Sequence, residues 1–211
     1  MSPDGLVRIP LSAPPRLGFD LDLTLLDLRG ATEFALRGTN ARLGLHIDVD
    51  AILADLGAPF RAQLATWVEA NRMDVAMRTF YREFMESGLD RIEALPGAEK
   101  VLATIQARDG FSMVITGRRK SVAMACLRRC GLAVPVVVGG VFGPDKAVAM
   151  REHRIDAYVG DHLLDMHAAV AAGVPGIGVG TGSHAEQPLA DAGAATVVPT
   201  LETLVPWLSA N

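Results

Sequence analysis

The chain has 211 residues, half of them hydrophobic and 21% charged, which excludes a disordered polar chain and allows one sizeable core with an inserted subdomain. Its formal net charge is -4 with no basic block, so nucleic acid is not expected as a main partner. No apolar run reaches membrane-spanning length, and the opening MSPDGLVRIPLSAPPR has acid and proline where a signal peptide needs a basic start and an apolar stretch. A cytoplasmic location without a membrane partner is therefore expected.

Residues 1–15 read as a loose, Pro-rich leader. The stretch RLGFDLDLTLLD (16–27) follows, and Leu17–Leu21 is expected to be a buried strand. Asp20 and Asp22 would then point the same way, two residues apart. Two carboxylates on one dry face call for a positive group, most naturally a metal ion, between them. From Ala31 to about Glu93 the apolar spacing turns helical, in EFALRGTNARLGL, DVDAILADLG and FRAQLATWVEANRMDVAMRTFYREFMESGL.

After Pro96-Gly97 the pattern alternates. A helix is expected over 97–108, a strand over 111–116, a helix over 119–130 and a strand over 134–140. Helix 145–153, strand 156–160, helix 163–172, strand 175–180, helix 185–192, strand 195–199 and a last helix complete it. Such alternation indicates an α/β fold, a Rossmann-like parallel sheet with helices on both faces. The helical block is too long for a simple crossover and reads as an inserted α-helical cap. The expected division is 1–27 with 94–211 as core and 28–93 as cap. Cys126 and Cys130 read as two small apolar side chains on one helical face, since a metal site would need further Cys or His nearby.

Open α/β sheets bind ligands at the carboxyl ends of their strands. The polar residues expected there are Asp20, Asp22, Thr116, Asp161 and Asp165, with Lys146 at a helix start. Their order resembles the haloacid dehalogenase superfamily: Asp-x-Asp-x-Thr as DLDLT (20–24), an apolar strand ending in Thr as MVITG, a lysine at a helix start, and Gly-Asp-x-x-x-Asp as GDHLLD (160–165). Cap placement between the first two motifs resembles the helical-cap, phosphoglycolate phosphatase-like subgroup. Many members carry Gly where this chain has Leu23.

The resemblance implies a phosphatase of small phosphorylated metabolites. In it Asp20 is the nucleophile, Asp22 the general acid and base, and Thr116, Gly117 and Lys146 the phosphate ligands. It implies Mg²⁺ held by Asp20, Asp161 and the Asp22 carbonyl, with Asp165 either touching the metal, through water, or orienting Lys146. Thr24 is expected to hydrogen-bond near Asp20, and Lys120, His162 and His184 to be surface or turn residues. Arg61 is the cap arginine expected to meet an anionic substrate end, as in phosphoglycolate. A phosphomutase of the β-phosphoglucomutase type shares these residues. A non-catalytic binding protein on the same fold is the third reading. GVGTGS lacks the spacing and position of a dinucleotide loop. Oligomeric state is not encoded in any of these patterns.

Overall fold

The computed structural model describes residues 9–210, so the leader reading for residues 1–8 lies outside the described residues. Residues 9–15 are not loose. Ile9 is buried in the core, and the Ser12 hydroxyl donates to Asp156 at 2.7 Å.

Six parallel strands form the main sheet: β1 (Arg16–Phe19), β4 (Phe111–Thr116), β5 (Val136–Gly139), β6 (Ala157–Gly160), β7 (Gly176–Val179) and β8 (Ala194–Val198), in the order β5-β4-β1-β6-β7-β8. Each begins within two residues of its expected place, because strands buried on both faces are continuous apolar runs. Side chains alternate across the sheet. Val114 of β4 enters one core with Leu17, Phe19 and Val159, whereas Met113 and Ile115 enter the other with Tyr158. The first core is completed by α5 (Ala98–Ala107), α6 (Lys120–Arg129) and α10 (Leu204–Ala210), the second by α7 (Lys146–Glu152) and α8 (Leu163–Ala172). A further helix, α9 (Glu186–Asp191), links β7 to β8. Cys126 is buried on α6 and Cys130 half-buried at its end; both are free thiols, and burial pushes Cys126 up to about 12.

The helical insertion leaves and returns through a two-stranded antiparallel neck, β2 (Leu26–Asp27) and β3 (Glu93–Ala94), which was not expected. Between them lie α1 (Arg29–Leu43), α2 (Val49–Leu53), α3 (Phe60–Leu64) and α4 (Met73–Glu83), then a π-turn at Phe84–Gly88. Helix α1 stops at Gly44 in the left-handed conformation, and the Asn40 amide clamps both backbone groups of Ile47. On α4, Met73, Ala76, Phe80 and Glu83 share the buried face. Among the described residues no helix is long and apolar enough to cross a membrane.

Candidate active site

Strand β1 ends at Phe19, not Leu21. The Asp20 N–H still bonds the Val159 carbonyl, but then the chain turns sharply, with the N–H groups of Leu25 and Leu26 both on the Leu21 carbonyl. Leu23 takes a left-handed φ of 55°, a conformation costly for a branched side chain, at the position where glycine is common in the family it resembles. The Thr181 hydroxyl pins the Leu23 carbonyl. This turn departs from the strand expectation: the strand stops short of both aspartates, and each carboxylate has a basic partner of its own.

Asp20 is bound by Lys146. The ammonium donates to Asp20 at 2.6 Å and to Asp165 at 2.7 Å, with the Tyr158 hydroxyl at 3.2 Å. Burial opposes the Lys146 charge, but Asp165 and Asp20 together hold its pKa well above the usual lysine range. Asp165 reaches back from the first turn of α8, where its other oxygen accepts from the His162 N–H in a capping box. Gly160 permits this, since a Cβ there would lie 2.5 Å from the Asp165 carboxylate. Both Asp165 oxygens thus have protein partners.

Asp161 follows β6. One carboxylate oxygen accepts from Thr24 at 2.7 Å, so Thr24 supports Asp161 rather than Asp20. The other, Oδ2, is buried without a partner and lies against Gly182, where a Cβ would be 2.0 Å away. Asp20, Asp161 and Asp165 offer oxygens within 4.8 Å of one another. Three buried carboxylates, only two of them reached by the one lysine, leave two negative charges to balance. Burial pushes Asp20 up to about 7, with Asp165 and Asp22 adding to the rise against Lys146. Burial, then Asp165 and Asp20, also raises Asp161. An orphaned oxygen, an all-oxygen donor set and a twofold charge deficit fit a hard divalent cation.

This has a measurable consequence. A carboxyl raised in the folded state binds more protons than in the unfolded chain, so its stabilisation is present below pH 3.8 and is lost as pH rises through about 7. Without added metal, the Asp20 contribution should make Tm fall from pH 5 to pH 8, and Mg²⁺ should raise Tm more at pH 8. Equal Mg²⁺ shifts at both pH values would contradict this charge arrangement.

Asp22 is held by Arg118. The guanidinium donates through Nε and Nη2 at 2.5–3.0 Å, reaches Thr32 of α1 at 3.2 Å, and lies 4.8 Å from the centre of the Phe84 ring. Burial disfavours its charge, but Asp22 holds its pKa above the usual arginine value. Arg118 therefore ties the acid of DLDLT to two residues of the insertion. Sequence reasoning missed it; the signal was its place as the first charged residue after Thr116. Thr116 is buried at the end of β4, where its oxygen accepts from the Arg118 N–H and its hydroxyl proton is free to meet a ligand. Gly117 borders the cavity but precedes α6, which starts at Lys120, so its N–H is not part of a helix terminus.

Asp20, Asp22, Thr116, Gly117, Lys146 and Asp165 line one cavity of about 140 Å³ beneath the insertion; Asp161 and Lys120 do not line it. Arg61 stands on its rim, 58% exposed and paired with Asp74 at 2.8 Å. His162 is more than a turn residue. Its Nδ1 accepts from the Leu164 N–H, which leaves the proton of the neutral ring on Nε2, 3.0 Å from Asp55 of the insertion. His184 packs edge-on against it, 4.5 Å between ring centres. With Nε2 protonated, this trio is a hydrogen-bonded contact rather than a cation site, and the fit to a cation rests on the Asp20 cluster.

A parallel sheet with carboxylates, a lysine and a threonine hydroxyl converging at the carboxyl ends of its strands is where open α/β folds bind ligands, and the lysine and hydroxyl suit an anionic one. The chain belongs to the haloacid dehalogenase-like hydrolase family, whose model matches residues 18–179. It is 25% identical to the phosphoglycolate phosphatase of Pseudomonas syringae pv. syringae (strain B728a), over 92% of this chain and 79% of that one. It is 29% identical to the probable phosphatase IndB of Dickeya dadantii (strain 3937), over 90% and 92%. A crystal structure described as a predicted phosphatase from Clostridium acetobutylicum superposes with a TM-score of 0.81 at 21% identity, covering 95% of this chain and all of that one. That last likeness concerns the fold alone.

Proposed function

We propose that the protein is a Mg²⁺-dependent phosphomonoesterase that hydrolyses a small phosphorylated metabolite through an aspartyl-phosphate on Asp20, with 28–93 acting as a cap. The observation that carries this reading is the Asp20 carboxylate, bound to Lys146 at the floor of the cavity beside the Thr116 hydroxyl. Asp20 and Asp161, with Asp165 beside them, would hold the Mg²⁺, together with the Asp22 carbonyl that the family resemblance implies. When bound, the ion neutralises charge between nucleophile and phosphate.

The chain's own groups do the rest. A carboxylate oxygen of Asp20 forms a bond to phosphorus as the ester P–O bond breaks, and Asp22 gives its proton to the departing alkoxide. Water then attacks phosphorus, Asp22 takes its proton, and the bond to Asp20 breaks to free phosphate. Lys146 and Thr116 hold the phosphoryl oxygens throughout. Because Asp22 is held by Arg118, proton donation requires the carboxyl to exchange that partner for the leaving oxygen. Arg118 is thus a positioning residue.

The test is inorganic phosphate release with and without Mg²⁺, which also separates hydrolysis from phosphomutase action. Asp22→Asn should slow phosphorylation by an alkyl ester far more than by 4-nitrophenyl phosphate, whose leaving group needs no proton. Arg118→Lys should show the same pattern, more weakly. Equal losses on both esters in single turnover would remove Asp22 as the acid. Recognition of phosphoglycolate draws support from the names of relatives at 25% identity; the cavity lining points elsewhere.

A further inference from the structure

We propose that the physiological substrate is the phosphomonoester of an apolar, aryl- or alkyl-bearing alcohol with no second acidic group. This rests on the phosphatase reading above and names the leaving group that the site takes.

Two observations carry it. The first is the apolar part of the cavity lining. Leu56, Phe60, Met77, Phe80 and Tyr81 from the insertion and Phe142 from the core line the cavity. The rings of Phe60 and Phe80 stand 4.4 Å apart, and those of Phe80 and Tyr81 5.4 Å apart, forming one continuous aromatic surface. Pockets so lined gain affinity from apolar and aromatic ligand surface and use few polar groups for orientation.

The second is the state of the basic groups. Every one lining the cavity already faces a carboxylate: Lys146 faces Asp20 and Asp165, Arg118 faces Asp22, Arg61 faces Asp74 and His162 faces Asp55. Lys146 is committed to the phosphoryl group. Arg118 holds Asp22 in the resting site, so a substrate carboxylate there would have to compete with that acid for it. Arg61 could do so only by leaving Asp74 and turning inward from a mostly exposed position. A second anion on the leaving group would therefore enter an apolar wall whose lining cations are all paired, at a desolvation cost.

The experiment compares benzyl phosphate, glycerol 3-phosphate and phosphoglycolate, all esters of alcohols that leave as alkoxides, so recognition rather than leaving-group acidity separates them. With Mg²⁺ and the intact protein, kcat/KM for benzyl phosphate should exceed that for each of the others by at least about tenfold, mostly through KM. Phosphoglycolate turned over as well as or better than benzyl phosphate would overturn the proposal while leaving the phosphatase chemistry standing. No Mg²⁺-dependent phosphate from any of these esters or from 4-nitrophenyl phosphate would overturn both. In Met77→Arg, a half-buried wall position, the benzyl-to-phosphoglycolate ratio should fall at least about tenfold. A ratio is independent of how much variant folds, and an unchanged ratio would overturn the assignment of this wall to the leaving group.

Discussion

Asp20→Asn is expected to fold and to lose turnover by on the order of 10⁶-fold, the scale seen when a catalytic nucleophile is removed. The amide keeps the shape of the carboxylate but is a poor nucleophile and a weaker cation ligand. Stability should survive. Asp20 carries a buried charge that its surroundings resist, with a pKa pushed up to about 7 chiefly by burial, so a neutral amide relieves part of that cost. Thermal melts and single-turnover kinetics on the same sample separate the two effects. A folded Asp20→Asn protein with substantial Mg²⁺-dependent turnover would rule out the aspartyl-phosphate route.

Lys146→Met should damage both stability and rate. Without a ligand its ammonium donates to Asp20, Asp165 and the Tyr158 hydroxyl, all buried, and the last and longest of these contacts is the one a phosphoryl oxygen would replace. Methionine fills the space but leaves two carboxylates facing each other without the cation, and breaking a buried ion pair costs about 3–5 kcal/mol. The loss should be larger at pH 8 than at pH 5, because acid lets the stranded carboxyls protonate. Mg²⁺ should recover more stability in the variant than in the parent, since the charge deficit has grown. Turnover should remain low even where stability is restored, because the phosphoryl group has lost its ammonium partner. A melting profile matching the parent at pH 8 would show that the lysine does not hold the cluster together.

Much of the fold was legible because its cause is local. Strands such as Phe111–Thr116 and Ala157–Gly160 are short, mostly apolar and buried runs, and helices such as Lys120–Arg129 and Leu163–Ala172 follow them within a few residues. The motif residues were legible because a parallel sheet exposes its strand ends on one edge, which brings Asp20, Thr116 and Asp161 together from distant positions. What stayed hidden depends on the chain's path or on distant partners. Nothing in DLDLT shows that the strand stops at Phe19 and turns through a left-handed Leu23, and that turn sends Asp22 to Arg118. The Arg118–Asp22 pair joins residues 96 apart, and the Asp55–His162 contact joins residues 107 apart. In the insertion, helical spacing ran unbroken from Phe60 to Leu89, yet the helix pauses between Leu64 and Met73. Val68 and Met73 remain buried across that pause, so the apolar pattern reports burial there rather than continuity of helix. The β2–β3 neck, two residues per strand, is too short to leave a period.

The nucleophile assignment is tested most directly by trapping. A crystal structure of the protein with Mg²⁺ and beryllium fluoride, which mimics a phosphorylated carboxylate, should place beryllium on a carboxylate oxygen of Asp20 with its fluorines within reach of Lys146 and Thr116, and the cation contacting Asp161. Beryllium bound to any other side chain, or a cation away from Asp161, would contradict the assignment.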